Sequence, residues 1–286
     1  ETGTLQGAMS IAATWIWAPA LFTSAEKAYV NGWPGLFWFL VPNVLCLLLF
    51  IPFAGMIRKQ MPQGITLSAY MEQKYHSRAV HGIYLLALTV LSVLSTAVQL
   101  LAGAKILAVI TGWPFFGLTF VLALIAFAYA QYSGIKASVL TDSLQMVLML
   151  IFAALFVPLV WQKTGGLPNL LNGLAGLSGE YSSLWNSNGL QLFLAFGLPG
   201  AVGLLAAPFG DQCFWQRAFA IRKDKLGRAF KLGSILFVPV PLSMGFLGFM
   251  AAGSDYAAQD KGLVNFELIS SLLPDWAMLL FLFMII

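Results

Sequence analysis

The chain has 286 residues, of which 59% are hydrophobic and only 9% charged, with a formal net charge of +4 and a mean hydropathy of +0.84. A water-soluble domain carries about 25% charged residues, so this composition excludes a soluble enzyme or a nucleic-acid-binding domain and indicates an integral membrane protein. No run alternates apolar and polar residues as a membrane barrel would, and the apolar runs are long enough for helices needing about 20 residues each. The fold class is therefore all-α and multi-pass.

In chain order, the predicted spans are roughly 7–30, 35–57, 79–111, 114–131, 139–161, 190–209 and 232–253, with a final one beginning near Pro274. The first overlaps Ser10 to Gly32 (SIAATWIWAPALFTSAEKAYVNG), where Pro19 follows a Trp-Ile-Trp run. The sixth contains Gly197 to Pro208 (GLPGAVGLLAAP), with Pro199 and Pro208. Proline removes a backbone donor and clashes with the preceding turn, so both spans are expected to break in mid-membrane and leave carbonyls for an ion, water or solute. Paired broken spans in two halves of a membrane chain point to a central binding site. The last span reaches Ile286 after thirteen residues, and the chain opens on Glu1 with no signal peptide, so a fragment of a longer protein is expected.

Between spans two and three, Pro62 to Arg78 places Leu67, Tyr70, Met71 and Tyr75 at helical spacing. This pattern predicts a short amphipathic helix on the membrane surface. Thr164 to Asn188 offers at most a short surface helix and no recognisable chemistry. Eleven of the fifteen Lys and Arg residues fall after spans two, four and six, which makes those loops cytoplasmic under the positive-inside rule. The charge thus reports topology and gives no nucleic-acid footprint. Cys46 and Cys213, with His76 and His81, form no metal, thiol or nucleotide motif, so no enzyme is expected.

Four stretches carry a family resemblance: ITLSAYMEQKYHSR (Ile65 to Arg78), QLLAGAKILAVITGWP (Gln99 to Pro114), SGIKASVLTDSLQMVLML (Ser133 to Leu150) and DQCFWQRAFAIRKDKLGRAF (Asp211 to Phe230). Together, in order and at matching spacing, they resemble the sodium:solute symporter family. The run TWIWAPALF is similar to that of the urea-transporting branch. The resemblance implies a LeuT-like core of ten helices in two inverted halves of five, here only partly present. Residues 1–161 would form the first repeat and 190–286 part of the second, as one transporter domain. It implies sodium-coupled symport of a small polar solute by alternating access, in the plasma (inner) membrane. A sensor fused to a histidine-kinase module is the alternative, and the oligomeric state stays open.

Residue by residue, the resemblance places a sodium ion on the backbone carbonyls of Ala13 and Ile16, with the remaining oxygens supplied by a later helix. It places solute contacts on Trp15, Trp17, Ala20, Phe39, Leu204, Ala207 and Pro208. Ala20, Phe39 and Leu204 stand where sugar carriers use polar groups, which disfavours a sugar. The two tryptophans suit a planar amide or an organic cation, or else serve as membrane packing and interface anchors. Asp142 has two readings: a cytoplasmic-side residue that attracts or releases sodium, or an acid favoured by the positive end of a helix. Asp211 is either a helix cap or a solute contact.

Overall fold

The computed structural model describes residues 2–62, 64, 66–132 and 135–285; Ile65, Ser133 and Gly134 of the quoted motifs lie outside the described residues. Its helices are α1 (Thr4–Trp15), α2 (Ala18–Gln60), α3 (Leu67–Tyr75), α4 (Arg78–Thr111), α5 (Phe115–Tyr132), α6 (Ile135–Lys163) and α7 (Leu167–Gly173). They continue as α8 (Ser187–Leu192), a π-helical turn (Phe193–Gly197), α9 (Leu198–Gly210), α10 (Gln212–Ala220), α11 (Leu226–Phe237), α12 (Pro239–Gly253), α13 (Val264–Leu272) and α14 (Asp275–Ile285). The only β pairing among the described residues is one bridge, Thr2 to Ile221. Among the described residues, five segments are long and apolar enough to cross a bilayer: Ala20–Gln60, Arg78–Thr111, Ser138–Lys163, Ser187–Gly210 and Leu226–Gly253. The chain is a multi-pass α-helical membrane protein.

Of the two expected breaks, the first falls just ahead of Pro19, as that proline suggests, and the second does not fall where its prolines suggest. The first interruption is at Ile16 and Trp17, which have extended backbones, and Pro19 lies in the first turn of α2. The first turn has no intrahelical acceptor for its N–H groups, so proline costs nothing there and presets φ. The second expected break, within Gly197 to Pro208, is a correction: the chain stays helical from Ser187 to Gly210, Pro208 is inside α9, and the interruption comes at Asp211.

The described chain groups into two compact units. One comprises residues 1–19, 46–144 and 206–234. Its core centres on the fully buried Phe50 of α2, whose ring meets Phe209 at 5.3 Å, Trp215 at 4.7 Å and Phe230 at 5.3 Å. Aromatic pairs of this kind contribute about 0.5–1.5 kcal/mol each beyond area burial. The amphipathic helix expected after span two is α3, capped by Thr66, whose hydroxyl accepts from the Ala69 amide at 3.2 Å. Its buried face is narrower than the sequence pattern, since Leu67 and Tyr70 are buried but Tyr75 is exposed.

The other unit comprises residues 20–45, 145–205 and 235–286. Within it α2 is interrupted at Gly32, whose φ of 59° and ψ of −155° suit glycine, two residues ahead of Pro34. The groups freed there are satisfied by the segment after α7: the Trp33 amide donates to the Leu174 carbonyl and the Leu177 amide to the Tyr29 carbonyl, each at 2.8 Å. The sequence suggests no more than a passive surface stretch here. Instead α7 packs backbone to backbone on α12: a Cβ on Gly173 would lie 1.9 Å from the Phe249 carbonyl oxygen, and one on Gly253 would lie 1.7 Å from that of Asn169. Small residues permit this approach, as at other membrane helix contacts. Helix α13 is not anticipated from the sequence. Phe281 of α14 is fully buried and meets rings of Phe22, Phe156 and Phe266.

Because the α7–α12 contact has no side chain to yield, Gly173→Ala is expected to destabilise the protein by about 2 kcal/mol or more. Thermal unfolding in detergent should show this, with Gly55→Ala, where a Cβ meets nothing within 4 Å, behaving like the parent.

Candidate functional site

Three polar side chains from three helices converge in the first unit. Ser10 of α1 is fully buried and Arg217 of α10 is 8% exposed. An isolated buried charge would cost several kcal/mol, so each needs a partner. Arg217 Nη2 donates to Asp142 Oδ2 at 2.7 Å, Arg217 Nε donates to Ser10 Oγ at 3.0 Å, and Ser10 Oγ donates to the same Asp142 oxygen at 2.5 Å. Arg217 Nη1 is taken up by the Cys213 carbonyl at 3.1 Å. The guanidinium fork thus reaches a carboxylate, a hydroxyl and a carbonyl at once, which a lysine could not do.

This arrangement replaces one reading of Asp142. The acid is not in the first turn of α6, so the helix dipole does not account for it; an arginine 75 residues away does. Thr141 does not join the cluster through its hydroxyl proton, which goes to the Ser138 carbonyl at 2.9 Å. Sequence reasoning missed Ser10 and Arg217. Arg217 could have been found as a strongly charged residue inside a stretch otherwise rich in aromatics, FWQRAF, but Ser10 offers no local signal.

Around the first interruption, Ile16 has ψ of 90°, which turns its carbonyl away from the helical direction. The Ile16 amide is shared between the Ala12 carbonyl at 3.0 Å and the Ala13 carbonyl at 3.2 Å. Ala13 and Ile16 are 7% and 6% exposed, so these two carbonyls lie in buried surroundings at a point where regular helical bonding stops. Trp15 is 2% exposed and stands edge-on to Phe214 at 5.2 Å and to Trp17 at 6.1 Å. Trp15 therefore joins α1 to α10 by ring packing, while Trp17 remains half-buried. Pro208 is buried and Ala207 half-buried near the end of α9.

Asp211 caps α10, its carboxylate accepting from the Cys213 amide at 2.8 Å; the capping reading is the observed one. The remaining expected contacts belong to the second unit: Ala20 and Leu204 are half-buried, and Phe39 is 7% exposed.

The profile of the sodium:solute symporter family matches residues 1–286. The chain belongs to this family. It is 26% identical over 260 residues to the probable urea active transporter 1 of Schizosaccharomyces pombe, an alignment covering 86% of the chain and 38% of that relative. It is 25% identical over 287 residues to the urea-proton symporter DUR3 of Oryza sativa subsp. japonica, covering 89% and 39%. The sodium/pantothenate symporter of Escherichia coli is 28% identical over 169 residues, covering 58% and 35%. The chain spans about two-fifths of the length of the urea transporters it matches. The family and these relatives are transporters.

Removing one partner of a buried pair strands the other charge, a loss of about 3–5 kcal/mol. Asp142→Asn or Arg217→Gln alone should therefore lower stability in detergent strongly. The double substitution should recover at least half of the loss, which a double-mutant cycle measures. Asp211→Ala, by contrast, should cost about 1 kcal/mol, the usual value of a cap.

Proposed function

We propose that this chain is part of a secondary transporter that carries a small, neutral, polar solute of the urea type across the plasma membrane, driven by a cation gradient. The observation that carries the reading is the two-residue interruption at Ile16 and Trp17 in a member of a symporter family, since broken membrane helices place backbone carbonyls and helix ends at a transported ion or solute. Residues 1–161 and 190–286 are read as the first and part of the second of two inverted repeats in a LeuT-like fold working by alternating access.

Sodium is the proposed coupling ion. Ala13 and Ile16 would offer it two carbonyl oxygens, of the hard-oxygen type such a cation requires. The other oxygens would come from elsewhere in the protein. The relatives support a cation-coupled carrier but include one named for protons and one named for sodium, so the choice of ion rests on the donor chemistry at the break. By the resemblance, the solute contacts would be Trp15, Trp17, Ala207 and Pro208 in the first unit and Ala20, Phe39 and Leu204 in the second. Asp142 would act on the cytoplasmic side by exchanging Arg217 for a departing ion.

Radiolabelled urea uptake by cells or proteoliposomes containing the intact protein tests this directly. Uptake should fall at least tenfold when choline replaces sodium, and should rise with an inside-negative potential, worth about 2.3 kcal/mol per charge per 100 mV. Uptake indifferent to sodium but steepened by an inward proton gradient would replace sodium by a proton. No saturable urea uptake under either gradient would overturn the solute assignment.

A further inference from the structure

Residues 222–231 carry five Lys or Arg against one Asp. That acid is already answered. Arg222 donates from Nε and Nη2 to the two Asp224 oxygens at 3.3 and 3.4 Å, and Lys225 Nζ lies 3.9 Å from Asp224 Oδ2. Arg228 and Lys231 stand further along, in the first two turns of α11, and both are exposed. Among the described residues neither has an ion-pair partner.

The helix that carries these two cations does not lie in water. It opens the apolar segment Leu226–Gly253, which is long enough to cross a bilayer. Its inner face is occupied: Ala229 and Phe230 are fully buried, and a Cβ on Gly233 would lie 3.0 Å from Ile11 Cγ2 of α1. Its outer face is a single stripe, because Arg228, Lys231 and Ile235 recur at three- and four-residue spacing and all are exposed. An exposed isoleucine on a membrane-crossing helix fits hydrocarbon, and Ile235 follows Lys231 by about 6 Å along the axis. The stripe therefore runs from cationic to apolar within two turns, as a bilayer does from headgroup to acyl chain.

Side chains on a helix lean toward its N-terminus, and long basic chains lay their methylenes on apolar surface while the charge reaches outward. For α11 that direction leads back to the basic loop, on the side that the positive-inside rule makes cytoplasmic. Residues three apart have Cβ atoms about 5–6 Å from each other, so both heads can reach one phosphate. The guanidinium brings a planar fork and the ammonium a point charge, which suits the two free oxygens of a phosphodiester. A protein segment seated here would need a carboxylate of its own in the membrane. A phospholipid supplies the anion and the hydrocarbon together.

We propose that Arg228 and Lys231 form a binding place for the phosphate of an anionic phospholipid in the cytoplasmic leaflet, with an acyl chain continuing past Ile235. The assignment is independent of which solute or ion the protein carries. It fastens the lipid to the helix against which α1 packs through Gly233.

The test uses the intact protein, titrated in mild detergent with phosphatidylglycerol or with phosphatidylcholine of the same acyl chains, bound lipid being counted by native mass spectrometry. The parent should bind phosphatidylglycerol at least tenfold more tightly than phosphatidylcholine. Arg228→Gln with Lys231→Gln should lower phosphatidylglycerol affinity at least fivefold. Lys163→Gln with Lys261→Gln, which removes the same charge from two other exposed positions, should leave it within twofold of the parent. In phosphatidylcholine vesicles containing a phosphatidylglycerol with a photoreactive group at the top of one acyl chain, adducts should fall on residues 226–237 of the parent and disappear from the Arg228/Lys231 variant. A variant that binds like the parent, or an equal loss in the Lys163/Lys261 pair, would overturn the proposal by making the attraction one of net charge. Adducts found elsewhere but never on α11 would overturn it by showing that other parts of the intact protein cover this face.

Discussion

An arginine among apolar helices is tolerable only if its charge is answered on the spot, and the interaction of Arg217 with Asp142 is the constraint on which the first unit depends. The pair joins α6 and α10, and the Ser10 hydroxyl brings in α1 by bonding to both charged partners. Three helices therefore share one electrostatic knot, and Trp15 against Phe214 adds a ring contact between two of them. The helix that ends at the Ile16 interruption is held at its middle by a hydroxyl and at its end by an aromatic ring. Moving α1 relative to α10 requires both contacts to be remade, which gives the alternating-access reading a definite physical obstacle. A buried ion pair is weak as a source of net stability but costly to half-dismantle, which suits a contact that favours one arrangement of helices.

The second unit uses a different device. Its helices approach through glycines and satisfy exposed backbone groups with backbone. The interruption at Gly32 is closed by residues 174–177, and α7 meets α12 with no side chain between them. Nothing charged is needed for this, and the contacts are short-ranged and specific in shape. Both units pack aromatic rings, but the first adds a charge pair and the second close backbone contact.

Much of this is legible in the chain itself. Hydropathy places five of the eight expected spans on helices long and apolar enough to cross a bilayer among the described residues, and the Thr66 cap with Leu67 and Tyr70 marks α3. Asp142 stands out as an acid within an apolar run. Proline marks one interruption and misleads on the other. Pro19 opens α2 just past the break at Ile16 and Trp17, whereas Pro208 is accommodated inside α9, and the real interruption waits for Asp211, which stops one helix and caps the next. Nor can the partners of Asp142 be read, since Ser10 and Arg217 lie 132 and 75 residues away in sequence. The role of the segment after α6 is hidden for a simpler reason. Its contacts are made by backbone atoms, and composition describes only side chains.

The separation of Asp142 from Arg217 also bears on how the protein is made. Helix α6 leaves the ribosome before α10, and the arginine follows the aspartate by 75 residues. At synthesis rates of roughly 5–20 residues per second, that interval is about 4–15 s. During it the carboxylate of Asp142, near the start of α6, has the hydroxyl of Ser10 already synthesised but not the guanidinium of Arg217. The contact that joins these helices can form only after both have been made.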